Sequence, residues 1–344
     1  MRDKAHHLVA PEPAGPGNRF TLAQVQAWRE QGFVLIREFF TPAEVQAVRQ
    51  AVKPLLPPDP EAVTDFGSMG AFEFPSGLEP LDDLTLHPDL LHAVAQLLEV
   101  EVGALRLSQS DLWAKFGRRL QQGGIRDNSD QRIHMDYPNH YLTHPPVWEA
   151  PEAVEMIVYY DHHSECGGET ALVSRVGRED PAYVYPYTQM PGVGALPWTN
   201  DRESTEALLA QEHPEVARFR ERLYARERYA AFEPGTVLFY RHDLWHRGTP
   251  LQPGALRLVQ NLTFRKAECE WISTVQSGWA WKMYRPDLST ERLIARLTPE
   301  QRTVLGFPAP GSSYWTPQRL EAATARFGPL GFDATPYRQA LSPT

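Results

Sequence analysis

The sequence predicts a mainly β protein, a sandwich or barrel of short strands wrapped by helices. Three observations predict it. Two capped helical stretches come first, near residues 21–32 and 41–52. Apolar runs of strand length then recur between 100 and 264, separated by long loops and Pro- and Gly-rich turns. A more helical tail follows residue 265. Strands and helices do not alternate as βαβ units would.

Residues 1–18 carry Pro and Gly without periodicity and are expected to be a flexible N-terminus. Thr21 and Gln24 form a capping box, and Gly32 marks that helix's end. Phe33–Ile36 reads as a buried strand. Thr41, Pro42 and Glu44 start a second helix, with Val45, Val48 and Val52 on one face. A Pro- and Gly-rich loop spans 54–80, and a helix follows at 88–98. Two strand-like runs, 100–107 and 109–116, precede a polar loop to residue 131. Strands are expected at 155–160, 170–173, 236–240 and 255–264, with a helix near 203–228 inside a long excursion from 177 to 231. Thr298–Pro299 and Thr316–Pro317 are helix starts in the tail. The organisation expected is therefore a core domain over 19–265, with a helical insertion near 177–231, and a helical extension over 266–344 packed on the same domain.

Composition narrows the function. With 42% hydrophobic and 22% charged residues in 344, the chain suits a soluble protein with one large core. No apolar run approaches the roughly 18 residues of a membrane span. No apolar segment follows the first residues, so no secretory signal is visible. Cys166 and Cys269 form no disulfide framework, and a reducing cytoplasm is the expected compartment. A net charge of −9 argues against nucleic acid as the partner. A small-molecule substrate is expected, and the sequence says nothing of oligomeric state.

The chemistry centres on Gln131–Pro138, which contains His134 and Asp136. On an extended strand, residues two apart project from one face, so imidazole and carboxylate can take adjacent positions on a metal. Chance supplies such triplets readily. The chain holds another at His87–Asp89, where Pro88 and the helical spacing of Leu90, Leu91 and Val94 indicate a helix start. A facial triad binding non-haem Fe(II) needs one further, distant histidine. His246 qualifies, just past a strand opened by the Glu233-Pro-Gly turn.

Arg257 follows eleven residues later, on a strand face shared with Val259, Asn261 and Thr263. A planar guanidinium suits the far carboxylate of a chelated dicarboxylate. The Glu-Pro-Gly-Thr-Val run ending in Trp-His-Arg-Gly, the early His-x-Asp and this arginine resemble the phytanoyl-CoA dioxygenase family of Fe(II)/2-oxoglutarate oxygenases. Gln31–Val45 looks like that family's opening helix-strand-helix, and the likeness covers about residues 20–265. It implies a double-stranded β-helix (jelly roll, cupin-like) with flanking helices. It implies His134, Asp136 and His246 as iron ligands and Arg257 as the 2-oxoglutarate anchor; Lys115 and Thr249 are further candidate contacts by their position on neighbouring elements. It also implies O2 as co-substrate and succinate and CO2 as co-products.

The chain departs from that pattern at 169–176, where the family often has Pro-Gly-Ser-His; Gly167–Thr170 is closer to taurine-dioxygenase-like oxygenases. Related halogenases replace the carboxylate ligand by a small residue, so Asp136 implies hydroxylation, or a desaturating or ring-forming variant, of a small organic, lipid-like or natural-product substrate. The alternative reading is a non-catalytic jelly-roll protein that binds metal or a small ligand.

Other candidates are weaker. His242 and His246 have the spacing of a helical zinc pair, but Asp243 replaces the base glutamate and the segment follows a strand. His162 and His163 are spare ligands at best. Tyr137, His140 and Trp245 are candidates to face substrate. His144 is a further candidate to face substrate, against a surface histidine, and Tyr141, Trp148, Trp271, Trp279 and Trp281 are further candidates for a pocket wall, against ordinary core packing.

Overall fold

A computed structural model describes residues 7–58, 72–74, 76–117, 130–145, 147–269, 286, 288–299, 302 and 307–341. Strands β1 (Leu8–Val9) and β2 (Glu12–Pro13) come first. The stretch expected to be flexible thus supplies two short strands, because each docks on an existing edge: β1 on residues 229–230 and β2 on residues 36–37.

Helix α1 (Leu22–Gln31) has the expected capping box, and the Gly32 N–H closes it on the Trp28 carbonyl. Strand β3 (Phe33–Arg37) and α2 (Pro42–Val52) follow; Thr41 and Glu44 cap α2 reciprocally. Next come α3 (Glu79–Thr85) and α4 (Pro88–Leu98). In the second His-x-Asp, His87 is the N-cap of α4, its Nδ1 accepting from the Asp89 amide. The two runs expected before residue 117 are one strand, β4 (Leu105–Phe116), with a bulge opposite Thr263–Phe264 and a 3-10 turn at Val102–Ala104.

Helix α5 (Tyr137–His140), β5 (Ala153–Tyr159), α6 (His163–Cys166) and β6 (Thr170–Leu172) lead into the excursion. Its one expected helix is two, α7 (Arg202–Glu212) and α8 (Pro214–Ala225), because Pro214 cannot continue the ladder of α7. Strands β7 (Arg228–Ala230), β8 (Val237–Tyr240), β9 (His246–Gly248) and β10 (Leu256–Lys266) complete the sheets. The tail contributes α9 (Ser289–Arg296), α10 (Pro317–Phe327) and α11 (Thr335–Gln339). The helix start at Thr298 runs into residues outside the described ones.

The strands form two sheets, β1-β7-β6-β9 and β2-β3-β8-β5-β10-β4, the double-stranded β-helix with flanking helices. Strand alternation divides the interior in two. Val34, Met156, Val158, Val237, Phe239, Leu258 and Leu262 of the larger sheet face α1–α4. Each such side chain is worth about 1.5–3 kcal/mol when fully buried. Phe239 makes edge contacts with Phe20 and Phe39. The opposite face turns Phe33, Leu35, Leu238, Tyr240, Tyr159 and Val259 toward the smaller sheet, and the polar site is built among them. A third cluster joins α9–α11 to Leu142. Arg326 fastens this tail to the body: it donates to the Pro138, Tyr141 and Thr143 carbonyls. No described helix is long and apolar enough to cross a membrane.

Candidate metal centre

His134, Asp136 and His246 converge: one ligand atom from each lies within 4.8 Å of the others. The segment carrying the first two is not the regular strand expected. His134 makes a single antiparallel bridge to His246, and Asp136 already has helical backbone at the start of α5. His246 opens a strand of its own, β9. The Asp136 and Tyr137 amides both donate to the His242 carbonyl. A backbone bridge and a helix start thus do what a continuous strand was expected to do.

Helix α8 grips the other side of His134. The Ile133 amide donates to Tyr224 Oη at 3.0 Å, and Arg220 Nη2 donates to the Ile133 carbonyl at 2.9 Å. Glu206 pairs with Arg220 and accepts from Tyr224. The excursion therefore clamps the ligand-bearing backbone. Arg220 is fully buried, an interior charge held by these contacts.

Both imidazoles are set as ligands. His134 Nδ1 lies 3.0 Å from the Arg132 carbonyl and His246 Nδ1 lies 3.0 Å from the Leu244 carbonyl. A carbonyl only accepts, so each Nδ1 carries the proton and each Nε2 turns its lone pair inward. Nε2 of His134 and of His246 lie 3.3 and 3.0 Å from opposite oxygens of Asp136. Burial, then the charge on His246, push His134 down to about 4, so it is unprotonated at neutral pH. Burial pushes Asp136 up, but the neighbouring His246 and then His134 outweigh it and hold the carboxyl well below its usual range. Burial likewise pulls His246 down, and Asp136 more than reverses this. Tyr240 Oη donates to Asp136 Oδ2 at 3.0 Å, fixing the carboxylate's orientation. Two imidazole nitrogens and one carboxylate on one side of a small space fit a divalent first-row ion with open positions left over.

Arg257 lies on the inner face of β10, directly across from Lys115 on β4. Both are buried. Arg257 donates to the Gly168 carbonyl, and its Nε has no hydrogen-bond partner. Burial lowers its pKa, offset in part by Tyr159, Cys166, Asp161 and Glu169. Among the described residues no carboxylate forms an ion pair with it. A buried guanidinium with spare donors can receive an external carboxylate. Thr249, also buried, donates to the Glu169 carbonyl at 2.8 Å, in the turn beside Gly168.

The residues expected to face substrate lie in the interior. Trp245 is fully buried and donates from Nε1 to the Ala182 carbonyl. Tyr137 donates to the Tyr187 carbonyl and packs on His144. His140 pairs with Glu155 at 2.8 Å. Trp148 donates to the Arg29 carbonyl and lies under the Arg241 guanidinium. Tyr141 meets His242 edge-on. Trp271, Trp279 and Trp281 lie outside the described residues. His162 caps α6 and stacks on His163, and neither belongs to the cluster of candidate ligands. No helix carries His242 and His246 together, which removes the zinc-hydrolase spacing. The two cysteines are free and buried. Sequence reasoning missed Glu155 and Tyr240. Their signal was a polar group at an inward position of an apolar strand.

No protein-family model matches the chain, and no curated protein does. Solved structures match in fold. EvdO2 from Micromonospora carbonacea var. aurantiaca superposes with a TM-score of 0.50 at 13% identity, over 77% of this chain and 96% of that one. SnoK, a non-heme alpha ketoglutarate dependent carbocyclase from nogalamycin biosynthesis, gives 0.49 at 17% identity, over 80% and 95%. HygX from Streptomyces hygroscopicus, solved with nickel and 2-oxoglutarate bound, gives 0.46 at 16%, over 72% and 88%. At these identities the likeness is one of fold.

Proposed function

We propose that this chain is a non-haem Fe(II)- and 2-oxoglutarate-dependent oxygenase. His134, Asp136 and His246 would hold the iron, and Arg257 would anchor the far carboxylate of 2-oxoglutarate. The observation that carries the reading is the pairing of two Nε2 lone pairs with one carboxylate in a buried site, all three already oriented by neighbours. When bound, iron and 2-oxoglutarate supply O2-dependent oxidation of a substrate C–H bond, with succinate and CO2 as co-products. The chain's share is placement and exclusion of water. Tyr240 keeps Asp136 in one orientation; Lys115 adds positive charge beside Arg257 for a dianionic co-substrate. With a carboxylate at position 136, we assign hydroxylation of a small organic, lipid-like or natural-product substrate as the outcome.

The test is purified protein with Fe(II), ascorbate and 2-oxoglutarate. Slow succinate formation, abolished in His134→Ala and Asp136→Ala, supports the reading. If 2-oxoglutarate neither binds nor perturbs the spectrum of the bound metal, the reading fails.

A further inference from the structure

A second convergence of ligands lies beside the first. His140 closes α5, His242 lies in the turn after β8, and Glu155 faces inward from β5. All three are at most 4% exposed. His140 Nε2 lies 2.8 Å from Glu155 Oε1, and His242 Nε2 lies 3.2 Å from the same oxygen. The two imidazole centroids are 4.8 Å apart, against 4.5 Å for His134 and His246. One donor atom from each residue falls within the same 4.8 Å bound as in the first triad.

Hydrogen bonding accounts for only part of this cluster: His140 Nε2 reaches Glu155 Oε1, and the Tyr240 side chain also bonds Glu155. Glu155 Oε2 has no partner, and His242 Nε2, despite its closeness, makes no aligned hydrogen bond. Among the described residues Glu155 pairs with no lysine or arginine; its ion-pair partners are the two imidazoles. A buried carboxylate oxygen and a buried ring nitrogen left unsatisfied each cost about 1–3 kcal/mol. A cation between them would satisfy both.

We propose that His140, Glu155 and His242 form a second metal site. Two imidazoles and one carboxylate suit a divalent ion of the zinc type, whose tetrahedral shell would leave its fourth position to a water. The site is tied to the first in two ways. The His242 carbonyl accepts from the Asp136 amide, so fixing His242 fixes the backbone of Asp136. Tyr240 pairs with Glu155 across β8 and β5 and donates to Asp136. A metal here would be a structural buttress for the first centre, and the three residues are positioning residues.

The experiment is metal analysis of the full chain, stripped with a chelator, reloaded with excess Zn(II) and desalted. Two equivalents per chain are expected for the wild type. A His134→Ala/Asp136→Ala/His246→Ala variant should keep one, and Zn(II) should still raise its Tm. Adding Glu155→Gln to that variant should remove the remaining equivalent and the Tm increase. Because a buried change at Glu155 can prevent folding, the first variant decides alone. Zero equivalents there, with no Tm response, would overturn the proposal. Retention of the last equivalent in a folded Glu155→Gln variant would overturn it as well.

Discussion

The His134 amide donates to the His246 carbonyl and the His246 amide donates to the His134 carbonyl, both at 2.8 Å. This is the hydrogen-bonded pair of an antiparallel ladder, reduced to a single rung. Side chains of such a pair leave on the same side, so the bridge aims both imidazoles at one point. Asp136 enters from the helix start that follows. The backbone therefore sets how the three candidate ligands converge.

Tyr240 tests how far orientation matters. Tyr240→Phe removes the hydrogen bond to Asp136 Oδ2 while keeping the ring that packs on His246. Loss of such an outer contact costs about 10–100-fold in metal affinity. Fe(II) or Co(II) titration should show at least the lower end of that range. An unchanged affinity would remove Tyr240 from the centre.

Arg257→Ala should separate co-substrate from metal. A charge-assisted hydrogen bond is worth about 1.5–3 kcal/mol, or roughly 10–150-fold in binding. The KM for 2-oxoglutarate should rise by that factor with iron affinity within about twofold, read by succinate formation and metal titration. Equal loss of both would refute the anchoring role.

Gly168 has a φ of +71°, and a Cβ there would stand 3.0 Å from Leu251 Cδ1 and 3.1 Å from Arg257 Nη1. Gly168→Ala therefore combines backbone strain of about 1–2 kcal/mol with a push on the guanidinium. We expect a lower Tm and a raised KM for 2-oxoglutarate, with kcat less affected. A variant with wild-type KM would show that the guanidinium can move without cost.

Glu152 gives a pH test away from the metal. Burial pushes its carboxyl from 4.5 up to about 7, against the lowering pull of Arg319. The folded protein thus keeps a proton that the unfolded chain has already lost. Its contribution to stability is fully present below about 4.5 and is lost as pH rises through 7. Glu152→Gln stays neutral and should escape that loss. Relative to wild type, the variant should gain on the order of 1–3 kcal/mol between pH 5 and pH 8 in urea unfolding. A constant difference across that range would contradict the raised carboxyl.

Much of the scaffold was legible because its signals are local. The caps at Thr21 and Thr41, the helix start at His87 and the two-residue alternation of β10 each involve residues a few positions apart. The alternation also placed Arg257 and Val259 on the inner face and Leu258 and Leu262 against the helices. The composition of the first triad was readable for a different reason: His-x-Asp, a late histidine and a spaced arginine match a known pattern. What the sequence determined by itself was therefore which elements form, which faces they bury and which residue types can gather.

Tertiary structure decided how they gather. It replaced a continuous strand at 131–136 with one bridge and a helix start, turned Arg220 inward to clamp Ile133, and brought His140, Glu155 and His242 together. The physical reason is that a buried polar contact between distant segments leaves no periodicity in either one. Its partners are chosen only when two sheets close on each other and every interior donor and acceptor has to find a match.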